Sequence, residues 1–539
     1  MKKQSKKFVL AGVLLLAVIG LLALTGCKND TVPEPTRYTV KFETEYGTTP
    51  ADITVVSGTK LTAEQLAGLA DTADYIFEGW YDGETKAEGG TYTVTKDVTL
   101  EAKWKPRDQV QISFKVSGNT VELSSEPAEA TIHYTTDGTE PKESWDEYAN
   151  PIEISSKTTI KAYAEKLGEL KPSDVVEKTY LVVTFDTNGG SEVAPQVVES
   201  GNAATKPTDP TNGDMVLAGW YTSEDDGTTL ADTAYSFDTP VAGDIILYAA
   251  WNGRVDGNIV LRNKVIPKTS EVRVLSTKVT FTSLFKVGVN SKVFISDREG
   301  EIQPFVMGQY EVTQQLYSAV MGSNPSKFTS DVETGETQEL RPVEKVSWYD
   351  AVVFCNRLSK LMGLEPVYSK GGKTDTSGWG EVPASSDEGW NAITCDFTKS
   401  GYRLPTEAEW ELAARGGNAG AVAWKDTYAG TNEESTLGDY AWYSDNSSGK
   451  THQVGTKKPN SLNLYDMSGN VWEWCWDRWD DGSIDAGTPS GGAASGFGRV
   501  YRGGCWGNFA NNCTVSLRSY SGPSYRDFCL GFRLVRSAN

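Results

Sequence analysis

The chain has 539 residues, 38% hydrophobic and 23% charged, with 72 acidic against 51 basic side chains and a formal net charge of −21. That length exceeds what one core accommodates, so several domains are expected. The acidic excess repels phosphate backbones, so no nucleic-acid partner is expected. Two histidines, His133 and His452, lie in different regions; they exclude a His-rich zinc site and argue against Ser-His-Asp catalysis.

At the start, Lys2, Lys3, Lys6 and Lys7 precede an apolar run from Phe8 to Leu24, which ends Leu24-Thr25-Gly26-Cys27. A basic segment, an apolar segment and small residues before a cleavage point make a secretory signal. The last four residues resemble the lipobox of bacterial lipoproteins. The resemblance implies a signal peptide at 1–26, lipidation of Cys27 and an extracytoplasmic protein held to a membrane by acyl chains. Lys28 after the lipidated cysteine favours the outer membrane or cell surface by the known sorting rule. A plain transmembrane helix is the competing reading, for which the run is short.

After a tether at 27–37 comes an internal repeat. Tyr38-Thr39-Val40-Lys41-Phe42, Phe77-Glu78-Gly79-Trp80-Tyr81 and a closing Trp104 return as Val182-Val183-Thr184-Phe185, Leu217-Ala218-Gly219-Trp220-Tyr221 and Trp251. Alternating β-branched and aromatic residues between Gly, Asp and Asn turns predict short strands. The segments 38–105 and 181–253 resemble the Listeria–Bacteroides (internalin B-type) repeat, which implies a β-grasp-like surface module. Between them, Ile132-His133-Tyr134-Thr135-Thr136-Asp137-Gly138-Thr139-Glu140-Pro141 carries a strong turn signal. Segment 107–180 is similar to chitobiase C-terminal domains, implying an accessory β-sandwich that serves as a spacer or binds sugar.

A β-rich connector is expected at 254–285, then a tryptophan-dense domain at 286–539. Ser347 suits the N-cap of a helix through Leu358, and Thr406 with Glu409 forms a capping box for a helix stopped at Gly416. Tyr310-Glu311-Val312-Thr313, Tyr402-Arg403-Leu404-Pro405-Thr406-Glu407-Ala408-Glu409-Trp410-Glu411, Gly469-Asn470-Val471-Trp472-Glu473-Trp474 and Arg502-Gly503-Gly504-Cys505-Trp506 through Gly531-Phe532-Arg533 resemble the formylglycine-generating enzyme (sulfatase-modifying factor) family. The expected architecture is therefore multidomain: all-β modules, then an α+β domain of the C-type lectin-like fold.

The oxidases of that family use two cysteines five apart, because thiolates bind copper(I) and exchange with a substrate thiol. The matching positions here are Asn508 and Cys513. A carboxamide does neither, so no copper is expected and no catalytic residue is assigned. The alternative is a formylglycine-generating-type oxidase acting on exported cysteine peptides through Cys513. Six cysteines besides Cys27 allow 15 pairings, leaving connectivity open.

Residues 505–529 also resemble the variable region of proteins diversified by retroelements, whose Asn codons scatter between fixed framework residues. Framework positions here are Trp506, Ala510, Cys513, Arg518, Pro523, Arg526, Gly531 and Phe532. Gly507, Asn508, Phe509, Leu517, Ser519, Tyr520, Ser521, Gly522, Tyr525, Asp527, Phe528 and Cys529 take the scattered positions and are the candidate ligand-binding residues. Aromatics mixed with Ser, Gly and Asn suit a paratope whether or not diversification is active. The expected partner is a protein or glycan outside the cell, with the membrane engaged through the lipid. The family further implies a structural calcium held by Asp466, Gly469, Val471 and Glu473. An Asp/Gly turn with Glu473 in a core hydrogen bond is the alternative.

Overall fold

A computed structural model describes residues 33–140, 145–166, 168, 170–275, 277–281, 298–418, 420–479, 496 and 498–538. The expected signal peptide and Cys27 lie outside them. Both Gly-Trp-Tyr repeats share one strand plan. In the first, Arg37–Glu43 pairs parallel with Val98–Pro106, which pairs antiparallel with Tyr75–Asp82. In the second, Val176–Asp186, Ile245–Val255 and Val216–Tyr221 do the same. The motif glycine sits where register slips, with φ of +137° at Gly79 and +143° at Gly219. Such a bulge needs a residue without Cβ. The tryptophan that follows is buried, Trp80 against Phe42 and Trp220 against Phe185, with ring centroids 4.8 and 4.9 Å apart.

In the middle module Asp137 makes the turn that its sequence predicts, accepting from the Thr139 backbone N–H and hydroxyl at 3.0 and 2.8 Å. The modules are not separate beads. The first half of Val176–Asp186 pairs with Thr158–Glu165 of the middle module, and its second half with Ile245–Val255. Ile245–Val255 in turn pairs through Gly253–Val255 with Asn258–Leu261. Ile259, Leu261 and Ile266 enter the same core as helix Trp348–Leu361. The Asn252 side chain also donates to Leu361 O at 3.0 Å, near the end of that helix. One hydrogen-bonded ladder thus runs from the middle module into the C-terminal domain.

In that domain both predicted helices start at capping boxes, Ser347 with Asp350 and Thr406 with Glu409. Each box satisfies two end N–H groups that would otherwise lack partners. Helix Trp348–Leu361 buries its apolar stripe; helix Glu407–Ala414 is buried on every side, charges included. A four-stranded sheet beside them runs in the order Arg518–Ser521, Arg499–Arg502, Trp472–Arg478, Leu530–Gly531. A second sheet joins Glu271–Val274, Phe305–Gly308 and Val535–Ser537, bringing the two ends of the domain together.

Candidate ligand-binding face

A buried ion network explains why the motif around Glu407 is so rich in charge. Arg502 is fully buried and donates to Glu407 at 3.0 Å and to Glu411 at 2.7 Å. Arg518 forks onto both Glu407 oxygens at 2.7 and 2.6 Å, and Arg415 donates to Glu411 at 2.8 Å. Burial opposes ionisation of Glu411, but Arg415 and Arg502 outweigh it and hold the carboxyl below its usual range. Arg502 and Arg518 lie on neighbouring strands in direct register. The network thus clamps the strands carrying the terminal segment onto helix Glu407–Ala414.

Above this frame, burial divides the terminal segment. Gly507, Phe509, Tyr520, Gly522, Tyr525 and Phe528 are exposed; Asn508, Leu517, Ser519, Ser521, Asp527 and Cys529 are half-buried; none of the twelve is buried. Of the framework positions, Ala510, Cys513, Arg518, Pro523, Gly531 and Phe532 are buried, while Trp506 and Arg526 are half-buried.

The twelve do not form one patch. Ser519 pairs with Tyr501 and Tyr520 with Val500, and successive strand residues point to opposite faces. On the Tyr501 face, its ring meets Trp472 at 5.1 Å and Trp474 at 5.4 Å. Tyr520 turns the other way and stacks on Trp479 at 4.4 Å. It therefore sits apart from the second aromatic group. That group holds Phe528, packed 5.9 Å from Trp506 and 6.5 Å from Phe328, with Lys327 Nζ 4.2 Å over the Phe528 ring. Nearby, the Tyr525 hydroxyl donates to Asp527 at 2.9 Å.

Lys327 and Phe328 escape a reading of the terminal segment because they lie about 200 positions upstream. They follow Asn324-Pro325-Ser326, whose turn is fixed from below: Glu344 accepts the Phe328 N–H at 2.8 Å, and the Ser326 hydroxyl accepts the Glu344 N–H at 3.1 Å. The meeting of this turn with Phe528 is a long-range contact that no local pattern signals.

Asn508 works as a clip. Its Oδ1 accepts the Cys505 N–H at 3.0 Å and its carbonyl accepts the Ser444 N–H at 2.9 Å. Cys513 is wholly buried, and burial pushes its thiol up to about 12. At neutral pH it is a protonated, enclosed sulfur, the opposite of a reactive thiolate.

The expected calcium donors meet other partners. Both Glu473 oxygens accept from Arg533 at 2.7 Å, and one also accepts the Trp410 indole N–H at 2.7 Å. Asp466 Oδ2 accepts the Gly455 N–H at 2.7 Å, and its buried Oδ1 has no hydrogen-bond partner. With Glu473 committed to a bidentate arginine, these four residues do not fit a calcium cage as they stand. Among the described residues no group of three or more His, Cys, Asp or Glu side chains is placed to hold a metal.

Three kinds of family model match the chain. The Listeria–Bacteroides repeat model matches residues 38–103 and 182–250, and the chitobiase/β-hexosaminidase C-terminal domain model matches 113–177. The sulfatase-modifying factor enzyme 1-like domain model matches 262–538. A chaperone protein LppX of Paenibacillus barcinonensis is 36% identical over 263 residues, covering 46% of this chain and 85% of that protein. The formylglycine-generating enzyme of Streptomyces coelicolor is 36% identical over 162 residues, covering 28% of this chain and about half, 51%, of its own length. Among solved structures, Treponema denticola variable protein 1 is 40% identical, with 51% of this chain and 98% of that chain covered and a TM-score of 0.45. The chain is thus a multidomain protein of all-β modules ending in an α+β C-type lectin-like domain, and by a match spanning more than half its length it belongs to the sulfatase-modifying factor enzyme 1-like family.

Proposed function

We propose that the chain is a binding protein displayed outside the cytoplasm, anchored to a membrane through lipid on Cys27, with β-modules holding a lectin-fold domain away from the surface. Its ligand, a protein or a glycan, docks on the face formed by Trp506, Phe509, Tyr525, Phe528 and the incoming Lys327 and Phe328. The observation carrying this reading is the burial split: none of the twelve candidate positions is buried and six are exposed, while six of the eight framework residues are buried. Rigid aromatic side chains on a clamped frame lose little entropy on binding. The exposed Tyr525 hydroxyl and the half-buried serine positions supply adaptable hydrogen bonds.

The alternative is an oxidase acting on an exported cysteine peptide. Against it stand the clip role of Asn508 and the enclosure of Cys513. The test has two arms. Full mature chain is passed over immobilised extracellular glycans and proteins, and saturable binding should be lost in the Phe509→Ala/Tyr525→Ala/Phe528→Ala variant. The same preparation, given copper(I) and a thiol peptide, should form no aldehyde. Aldehyde formation abolished by Cys513→Ala would replace the binding reading with the enzymatic one.

A further inference from the structure

Cys505 and Cys529 are both free thiols, and their side chains are neighbours. Backbone contacts to one short stretch bring them together. The Trp506 N–H donates to Asn470 O at 2.8 Å, and the Trp472 N–H donates to Cys529 O at 2.8 Å. The Trp506 indole adds a bond to Phe528 O at 3.2 Å. So the residue after one cysteine and the residue before the other already touch. Cys529 Sγ lies over the turn after Cys505, 3.9 Å from where a Cβ on Gly507 would stand.

We infer that Cys505 and Cys529 are joined by a disulfide in the exported protein, clasping the base of the loop that carries the candidate binding residues. Eleven of the twelve candidates lie between these two cysteines, and the twelfth is Cys529 itself. The bond does not depend on whether that face binds a ligand.

Exposure sets the order of the chemistry. Cys529 is half-buried, whereas Cys505 is 2% exposed. Cys529 therefore meets the oxidant, a small-molecule disulfide or a dithiol–disulfide oxidoreductase of the oxidising compartment. Its thiolate attacks one oxidant sulfur, the oxidant S–S bond breaks, and one oxidant thiol leaves. The Cys505 thiolate then attacks the Cys529 sulfur of the mixed disulfide and expels the second oxidant thiol. The two cysteines lose two electrons and two protons, and the oxidant gains them. The contact with Cys505, and then burial, raise the Cys529 thiol above its usual range. This slows the first attack at neutral pH and leaves the finished bond hard to reduce, because the thiolate it would release is disfavoured.

Cys513 is the competing partner, since its sulfur sits under the Gly504–Cys505 backbone. The experiment therefore maps all three. Reduced full-length mature chain is oxidised with glutathione disulfide, unfolded in urea and blocked there with N-ethylmaleimide so that buried thiols react, digested with trypsin without reduction and read by mass spectrometry. Cleavage after Arg502, Arg518, Arg526 and Arg533 puts Cys505 and Cys513 in the peptide 503–518 and Cys529 in 527–533. The expected product joins the two peptides, with fragmentation placing the link on Cys505 and the alkyl group on Cys513. Reduction should lower the melting midpoint of the oxidised protein by at least about 4 °C and leave that of Cys529→Ser unchanged. Three results overturn the inference: a link on Cys513, a link only between two chains, or both cysteines alkylated after oxidation that fully converts a control dithiol protein. The mapping needs no variant, so failure of Cys529→Ser to fold does not blunt it.

Discussion

Asp466→Asn should stabilise the protein at neutral pH. Asp466 is 2% exposed, and one carboxyl oxygen has no hydrogen-bond partner. Burial is the main reason its pKa rises from 3.8 to about 6; the Gly455 N–H and Arg533 pull the other way but do not prevail. A folded-state value above the unfolded one means the native protein holds the extra proton between about pH 4 and 6. Stability from this group is thus fully present below its unfolded pKa and is lost as pH rises through the folded one. At about 1.4 kcal/mol per unit, the loss is complete above pH 6 and is at most about 3 kcal/mol. Asparagine tolerates the left-handed backbone here, where φ is +59°, and its oxygen can keep the Gly455 bond. Its amide protons then lack an acceptor, so a gain of about 1–2 kcal/mol is expected at pH 7.5. The assay is urea or thermal unfolding of wild type and variant from pH 4 to 8, read as their difference so that buried acids independent of Asp466, such as Glu344, cancel; Glu311, which burial and then the Asp466 charge hold above its usual range, is relieved in the variant and adds to the gain above pH 5. The two proteins should match near pH 4 and diverge above 5, and added calcium should move neither. A variant less stable than wild type at pH 7.5, with wild type gaining stability from calcium, would refute the reasoning and make Asp466 a cation ligand.

Further outcomes follow from the frame and the stalk. Arg502→Met should cost about 2–4 kcal/mol by removing the charge-assisted bonds that join Glu407, Glu411 and the Val515 carbonyl, although Arg518 still pairs Glu407 and Arg415 still pairs Glu411; Lys360→Ala, which breaks an exposed pair with Asp375, should stay within about 0.5 kcal/mol in the same denaturant titration. Trp80→Ala and Trp220→Ala each empty a repeat core and should cost about 3–5 kcal/mol locally. Limited proteolysis should then cut the first repeat alone in the former. In the latter, cutting should extend into the middle module, which shares a strand with the second repeat. Asn508→Ala should lose about 1 kcal/mol with the Cys505 clip and raise hydrogen exchange across residues 505–512.

Local chemistry made much of this readable beforehand. Alternating β-branched and aromatic residues between turns announced the repeat strands; Ser347 and the Thr406/Glu409 box marked their helix starts. None of the twelve scattered terminal positions is buried, although six are only half-buried, as are the framework residues Trp506 and Arg526. What escaped was long-range. The side to which Tyr520 points depends on its register against Val500, and one residue of slip would reverse it. Phe328 joins Phe528 only because Glu344 fixes a distant turn. The strand Val176–Asp186 looked like a module edge, yet its two halves serve two modules. Glu473 read equally well as a metal ligand and as a core acceptor until Arg533 was placed beside it.

The binding face is tested most directly by a matched pair of substitutions in one loop. Once a ligand is in hand, Tyr525→Ala and Tyr520→Ala remove the same side chain from opposite faces, and isothermal titration compares them. The account predicts that Kd rises roughly five- to thirtyfold for Tyr525→Ala and changes less than about twofold for Tyr520→Ala. Equal losses, or a loss confined to Tyr520→Ala, would contradict it.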